Sequence, residues 1–115
     1  MAVPRMRRVN EVLREVLGEE VKELADPGLE PVTITEVDTS PDLRHARVYF
    51  TVLGGSEERE GAQEALDRAH GTLQAAIASE TRLKRTPSLL FEYDEAVETG
   101  LRIAHLLDEV DEDQQ

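Results

Sequence analysis

The chain has 115 residues, about one domain's worth, and its apolar types (39%) include few aromatics (3%), so its core is built from Val, Leu, Ile and Ala. Thirteen Lys and Arg stand against 25 Asp and Glu, a net charge of −12 that on its face argues against a nucleic-acid binder. Cysteine is absent, which excludes disulfides, thiolate zinc sites and thiol catalysis, and no apolar run has secretory or membrane-spanning length. A soluble, cytoplasmic protein without membrane contact is expected.

From Arg5 to Leu24 the residues Val9, Val12, Leu13, Val16, Leu17, Val21 and Leu24 repeat at three and four, predicting an amphipathic helix with all seven on one stripe. Asp26-Pro27-Gly28 stops it, because proline disfavours helical geometry before it and glycine accepts the turn. Val32–Val37 and Ala46–Leu53 are β-branched and alternating, which predicts two strands. The short, turn-rich connection Thr39–Arg44 makes the pair an antiparallel hairpin. Val37 falls out of phase with Val32 and Ile34, so a bulge or a second buried face is expected there.

Gly54-Gly55 ends the second strand, and Ser56, with Glu58 and Glu60 behind it, starts a helix. Ala62, Ala65, Leu66 and Ala69 keep helical spacing up to Gly71, after which Leu73, Ala76 and Ile77 take a new stripe. Gly71 is either a tolerated weak point or a kink between two helices. The small residues at 62, 65 and 69 predict close approach to the sheet. Pro87–Tyr93 reads as a third strand, and Asp94 as the cap of a last amphipathic helix. The expected organisation is α+β: a globular unit over 1–94, an acidic helix over 95–110 and a disordered tail over 111–115.

The charge is unevenly spread. From Glu92 onward there are nine acids and one base, Arg102, whereas bases cluster at Arg5, Arg7, Arg8 and Arg14 and again at Arg82, Lys84 and Arg85. These clusters are either solvated helix ends or one face that docks on phosphate while the acidic remainder repels stray polyanions. His45, His70 and His105 lie far apart with no metal-binding spacing, and neither a GxSxG nor a GxxxxGK motif is present. The carboxylates are too numerous to single out a catalytic pair. A binding protein is expected, not an enzyme, and no cofactor or metal.

The order α-β-β-α-α-β is that of a type II KH domain, in which a GxxG loop between paired helices clamps an RNA backbone. Here Ala69-His70-Gly71 occupies that junction. Together with Arg8-Val9, Asp26-Pro27, Val32–Val37, Ser40–Leu43, Ala46–Tyr49, Arg82–Lys84, Pro87, Phe91–Asp94, Glu98, Gly100, Arg102 and Ile103, it makes the chain resemble the ribosome-binding factor A family over essentially its whole length. The resemblance implies a single KH-like domain with a three-stranded sheet, an Ala-x-Gly kink in place of GxxG and a C-terminal helix. It further implies a non-enzymatic factor that binds the free 30S subunit and 16S rRNA late in maturation, supports 5′-end processing and growth in the cold, and leaves with the help of assembly GTPases.

The candidate RNA-binding residues are therefore Arg5, Arg7, Arg8, Ala69, His70, Gly71, Arg82, Lys84 and Arg85. The bases supply affinity and orientation with little sequence reading. Gly71 permits close backbone approach, and His70 offers a donor to phosphate. Tyr49 and Tyr93 either stack on bases or join the core. A competing reading makes the chain an acidic interaction module for a basic ribosomal or assembly protein. No apolar stripe demands a dimer, so a monomer is expected.

Overall fold

The computed structural model describes residues 5–96. Helix α1 spans Arg5–Glu23, strand β1 Val32–Thr39, strand β2 His45–Val52, helix α2 Ser56–Glu80 and strand β3 Ser88–Tyr93. The sheet order is β1-β2-β3. β1 and β2 pair antiparallel, as the hairpin predicts, while β2 and β3 pair parallel because α2 carries the chain back to the starting end of β2. The acidic helix expected over 95–110 and the tail over 111–115 lie outside the described residues from 97 onward.

Along α1, Leu13, Leu17 and Val21 are buried, but Val12 is 44% exposed. A spacing of four puts the centre of the stripe on 13, 17 and 21, which leaves Val12 on its flank. After α1, Pro27–Leu29 forms one turn of 3-10 helix, capped by Asp26, whose Oδ1 accepts from Gly28 N at 3.0 Å. A Cβ on Gly28 would stand 2.8 Å from Ala65 Cβ and 2.9 Å from Gly61 O. At Ala65 the close approach of α2 is to the 27–29 turn, while Ala62, Ala65 and Ala69 together share the core with the sheet. Arg68 of α2 closes the same junction by binding the Asp26 carboxylate, with its nearest contact at 3.1 Å.

The phase break in β1 is a bulge. Ile34 faces Phe50 and Glu36 faces Tyr49, leaving Thr35 as the extra residue. Its hydroxyl donates to Asp94 Oδ2 at 2.6 Å, and Asp94 N donates to Phe50 O at 2.7 Å, so the end of β3 is tied across the sheet to the bulge. The slip in phase keeps Val37 buried beside Val32 and Ile34.

Helix α2 runs unbroken for 25 residues, so the helix pair expected from the KH pattern is here one helix that passes through Ala69-His70-Gly71. Its start is capped by Gly55, whose N–H donates to Glu58 Oε2 at 2.9 Å. Gly71 is exposed, and nothing approaches within 4 Å of where its Cβ would stand, so its cost is the ordinary helical penalty of about 1 kcal/mol. Ala62, Ala65, Leu66, Ala69, Leu73 and Ile77 join Leu13, Leu17, Val48, Phe50, Leu89 and Phe91 in one core between the helices and one face of the sheet.

Candidate nucleic-acid interface

Three chain segments converge at the end of the domain where β2 and β3 begin. Thr39 N donates to Asn10 Oδ1 at 2.9 Å, which fixes the start of α1 against the end of β1. Ser88 N donates to Arg44 O at 2.9 Å, which fixes the loop after α2 against the β1–β2 loop. The result is a pocket of about 400 Å³ lined by Arg5, Met6, Pro41–Arg44, Lys84 and Arg85. Four cations and one carboxylate share it. Members of the two basic clusters, which lie near opposite ends of the described chain, are thereby brought to one site. Arg44, which the sequence reading left in a turn, belongs with them.

The β1–β2 loop that positions Arg44 is held by its own side chains. Ser40 N donates to His45 O at 2.8 Å, Ser40 Oγ to Asp42 Oδ1 at 2.7 Å, and Arg44 N to Asp42 Oδ1 at 3.1 Å. Leu43 takes the left-handed conformation at φ 61°, which an L-residue adopts only where its surroundings over-determine it. The Ser40 hydroxyl, then the Arg44 N–H, hold the Asp42 carboxyl below its ordinary value of 3.8. A depressed folded-state value means that this contribution to the loop is complete above the ordinary carboxylate range and is lost as pH falls through the folded value. The Asp42 side-chain carboxyl resonance is expected to make its main movement only below the ordinary carboxylate range, as a pH series of ¹³C carboxyl spectra would read.

The other candidates fall in three groups. Arg7 lies off the pocket, lining a groove with Asn10, Glu11 and Arg14 beside the β1 bulge, where Arg14 approaches Glu11 at 3.8 Å. Arg8 and Arg82 are near the pocket residues in sequence but do not line it. Ala69, His70 and Gly71 do not line the pocket. Ala69 is buried in the core. His70 Nε2 donates to Leu89 O at 3.1 Å, and its ring meets Phe91 edge-on at 6.2 Å between centroids.

His70 shares this duty with Gln74, which accepts from Leu89 N at 2.8 Å and donates to Pro87 O at 3.0 Å. Together they satisfy the start of the free edge of β3, at Pro87 and Leu89, as a neighbouring strand would. The sequence signal for this was a polar pair one helical turn apart on a face flanked by Ala69 and Leu73. Replacing His70 with Ala is expected to lower stability by about 1–2 kcal/mol in urea unfolding, since it orphans the Leu89 carbonyl and removes the ring from Phe91. Of the two tyrosines, Tyr93 packs on the core, edge-on to Phe50 at 5.8 Å and with the Arg59 guanidinium 3.8 Å above its ring. Tyr49 points to the other face of the sheet.

Among the described residues no group of three or more His, Asp or Glu is placed to hold a metal, and no helix is long and apolar enough to cross a membrane. A three-stranded sheet with one antiparallel and one parallel pair, helices on one face, and a basic end is a KH-like α+β domain. The sequence of that domain is more specific still. The family model described as ribosome-binding factor A matches residues 5–107, and the chain belongs to that family. It is 46% identical over 111 residues to ribosome-binding factor A of Rubrobacter xylanophilus, covering 96% of this chain and 90% of the relative. The crystal structure of ribosome-binding factor A from Thermus thermophilus superposes with a TM-score of 0.71 at 33% identity, over 78% of this chain and 97% of that one. A Thermus thermophilus homology model fitted into the cryo-electron microscopy map of a complex of 30S with ribosome-binding factor A gives 0.63 at 36% identity, over 75% and 91%.

Proposed function

We propose that this chain is a non-enzymatic assembly factor that binds the free 30S subunit through 16S rRNA, with the pocket of Arg5, Arg44, Lys84 and Arg85 as its phosphate-facing site. The observation that supports it is the convergence of cations from three segments on one pocket in a chain whose net charge is strongly negative. Guanidinium and ammonium groups that share a concave site engage successive phosphates, whereas the acidic remainder limits non-specific binding. Arg7, Arg8 and Arg82 extend the positive surface on either side. Ala69 and His70 serve the core and the β3 edge, and Gly71 is exposed on the helix surface. Family membership and the related 30S complex support the choice of the small subunit.

By the same reading the factor acts in the cytoplasm as a monomer, late in subunit maturation. It supports 16S 5′-end processing and growth in the cold, and departs with the help of assembly GTPases. The test is sedimentation of the pure protein with free small subunits, free large subunits and joined ribosomes across a salt series. Selective binding to the free small subunit is expected. With four phosphate contacts, log affinity should fall against log salt with a slope of roughly −2.8 to −3.6. A slope near zero, or equal binding to all three particles, overturns the assignment.

A further inference from the structure

The helices cover one face of the sheet, where Val37, Val48 and Phe91 lie side by side in register. The opposite face carries two rows that no described element covers: Asp38–Arg47–Leu90 and Glu36–Tyr49–Glu92 across β1, β2 and β3. Leu90 is 53% exposed, and half-buried Tyr49 lies between two carboxylates on the neighbouring strands. A groove of about 630 Å³, larger than the basic pocket, opens at the end of this face where β2 and β3 begin, its walls carrying Asp38, His45 and Arg47 beside the apolar Pro41, Ala46 and Leu90, while Glu36, Tyr49 and Glu92 lie beyond it along the strands. Thr39 is 5% exposed, and its Oγ1 has no hydrogen-bond partner among the described residues. Pro41 stands on the wall of both cavities, so the β1–β2 loop separates this groove from the basic pocket.

Charge decides what fits. Glu36, Asp38 and Glu92 face a single guanidinium, Arg47, which Glu92 already approaches at 4.0 Å. The Tyr49 side chain and then the Glu92 carboxylate hold Arg47 firmly charged, so the face sets three carboxylates against one permanent cation. A phosphate backbone meets three carboxylates here. A second copy docked through the same face would set those carboxylates against each other. The chain's own segment from 97 onward has six acids and one base and carries the same sign. What complements the face is a cation on an apolar stem, because an aromatic ring flanked by carboxylates attracts cations through its π-face and through charge together.

We propose that this face docks a basic segment of a protein partner, with a lysine or arginine over Tyr49 between Glu36 and Glu92 and an apolar side chain in the groove against Leu90. The domain then has two surfaces of opposite sign on either side of one loop, one for phosphate and one for basic protein, which goes beyond the RNA-facing role. Such a pairing suits a ribonucleoprotein target, whose proteins are basic where its RNA is acidic.

The experiment titrates a dye-labelled peptide of alternating lysine and leucine into the full-length ¹⁵N-labelled chain. The expected result is that the amides of Glu36, Arg47, Tyr49 and Leu90 shift. Glu36→Lys with Glu92→Lys, and separately Leu90→Asp, should each weaken binding about tenfold. Asp111→Asn with Glu112→Gln and Asp113→Asn should change it by no more than about twofold. The inference is overturned if the peptide does not bind, if the face variants bind like the parent, or if the loss follows the acidic C-terminal residues. It is equally overturned if oligouridylate shifts the same amides more strongly than the peptide. No ribosome enters the assay, so its failure leaves subunit binding standing, and failure of subunit binding leaves this result standing.

Discussion

Lys84→Glu combined with Arg85→Glu is expected to weaken binding to free small subunits about thirtyfold at about 0.1 M salt. Both residues line the basic pocket, both are exposed, and neither has an ion-pair partner among the described residues, so the double variant should fold as the parent does. An exposed charge pair is worth up to about 1 kcal/mol, and reversal replaces part of that attraction with repulsion. Two such positions give about 2 kcal/mol, and about 1.4 kcal/mol is tenfold. The control is Lys22→Glu, the same reversal per residue in the last turn of α1. Along the helix, Lys22 stands about 25 Å from Arg5. That is more than twice the ~10 Å screening length at this salt, so its effect should stay within about twofold. His70→Ala is expected to bind like the parent, because the ring is engaged with Leu89 and Phe91 and does not line the pocket. Equal losses for Lys22→Glu and for the pocket variant would mean that net charge, rather than this site, governs binding.

How much of this site was legible beforehand depends on which physical signal wrote it. Periodicity placed α1, β1 and β2 nearly to the residue, since burial of one face at a period of 3.6 or 2 leaves its mark on the sequence directly. The bulge was legible too, as the phase slip at Val37. The convergence of Arg5 with Lys84 and Arg85 was not, for it depends on β2 and β3 starting at the same end, which is set by the length of α2 and the parallel pairing. Arg44 was missed because a turn residue's role comes from what the turn is packed against. The functional weight given to Ala69-His70-Gly71 came from the KH pattern; in the structure Ala69 lies in the core, His70 and Gln74 bond the outer edge of β3, and Gly71 is exposed. Sequence cannot distinguish a histidine facing solvent from one facing a strand edge when both sit on the same flank of an amphipathic helix.

The largest effect on stability is expected at Phe50. It is fully buried in the central strand, flanked in register by Ile34 on β1 and Tyr93 on β3, whose ring it meets edge-on. Phe50→Ala should destabilise the domain by about 4 kcal/mol, the loss of apolar transfer plus the cavity that remains. For a domain near this size the midpoint of thermal unfolding should then fall by roughly 20 °C. Relaxation offers little relief, because the neighbours of Phe50 in register, Ile34 and Tyr93, are themselves held in the sheet ladder and interiors are close-packed. By contrast, Leu90→Ala on the open face of the same sheet removes a side chain that is already half in water and should stay within about 0.5 kcal/mol. The comparison separates the faces by a measurement. If Leu90→Ala destabilised as strongly as Phe50→Ala, the outer face would be covered within the free protein, and no room would remain on it for a partner.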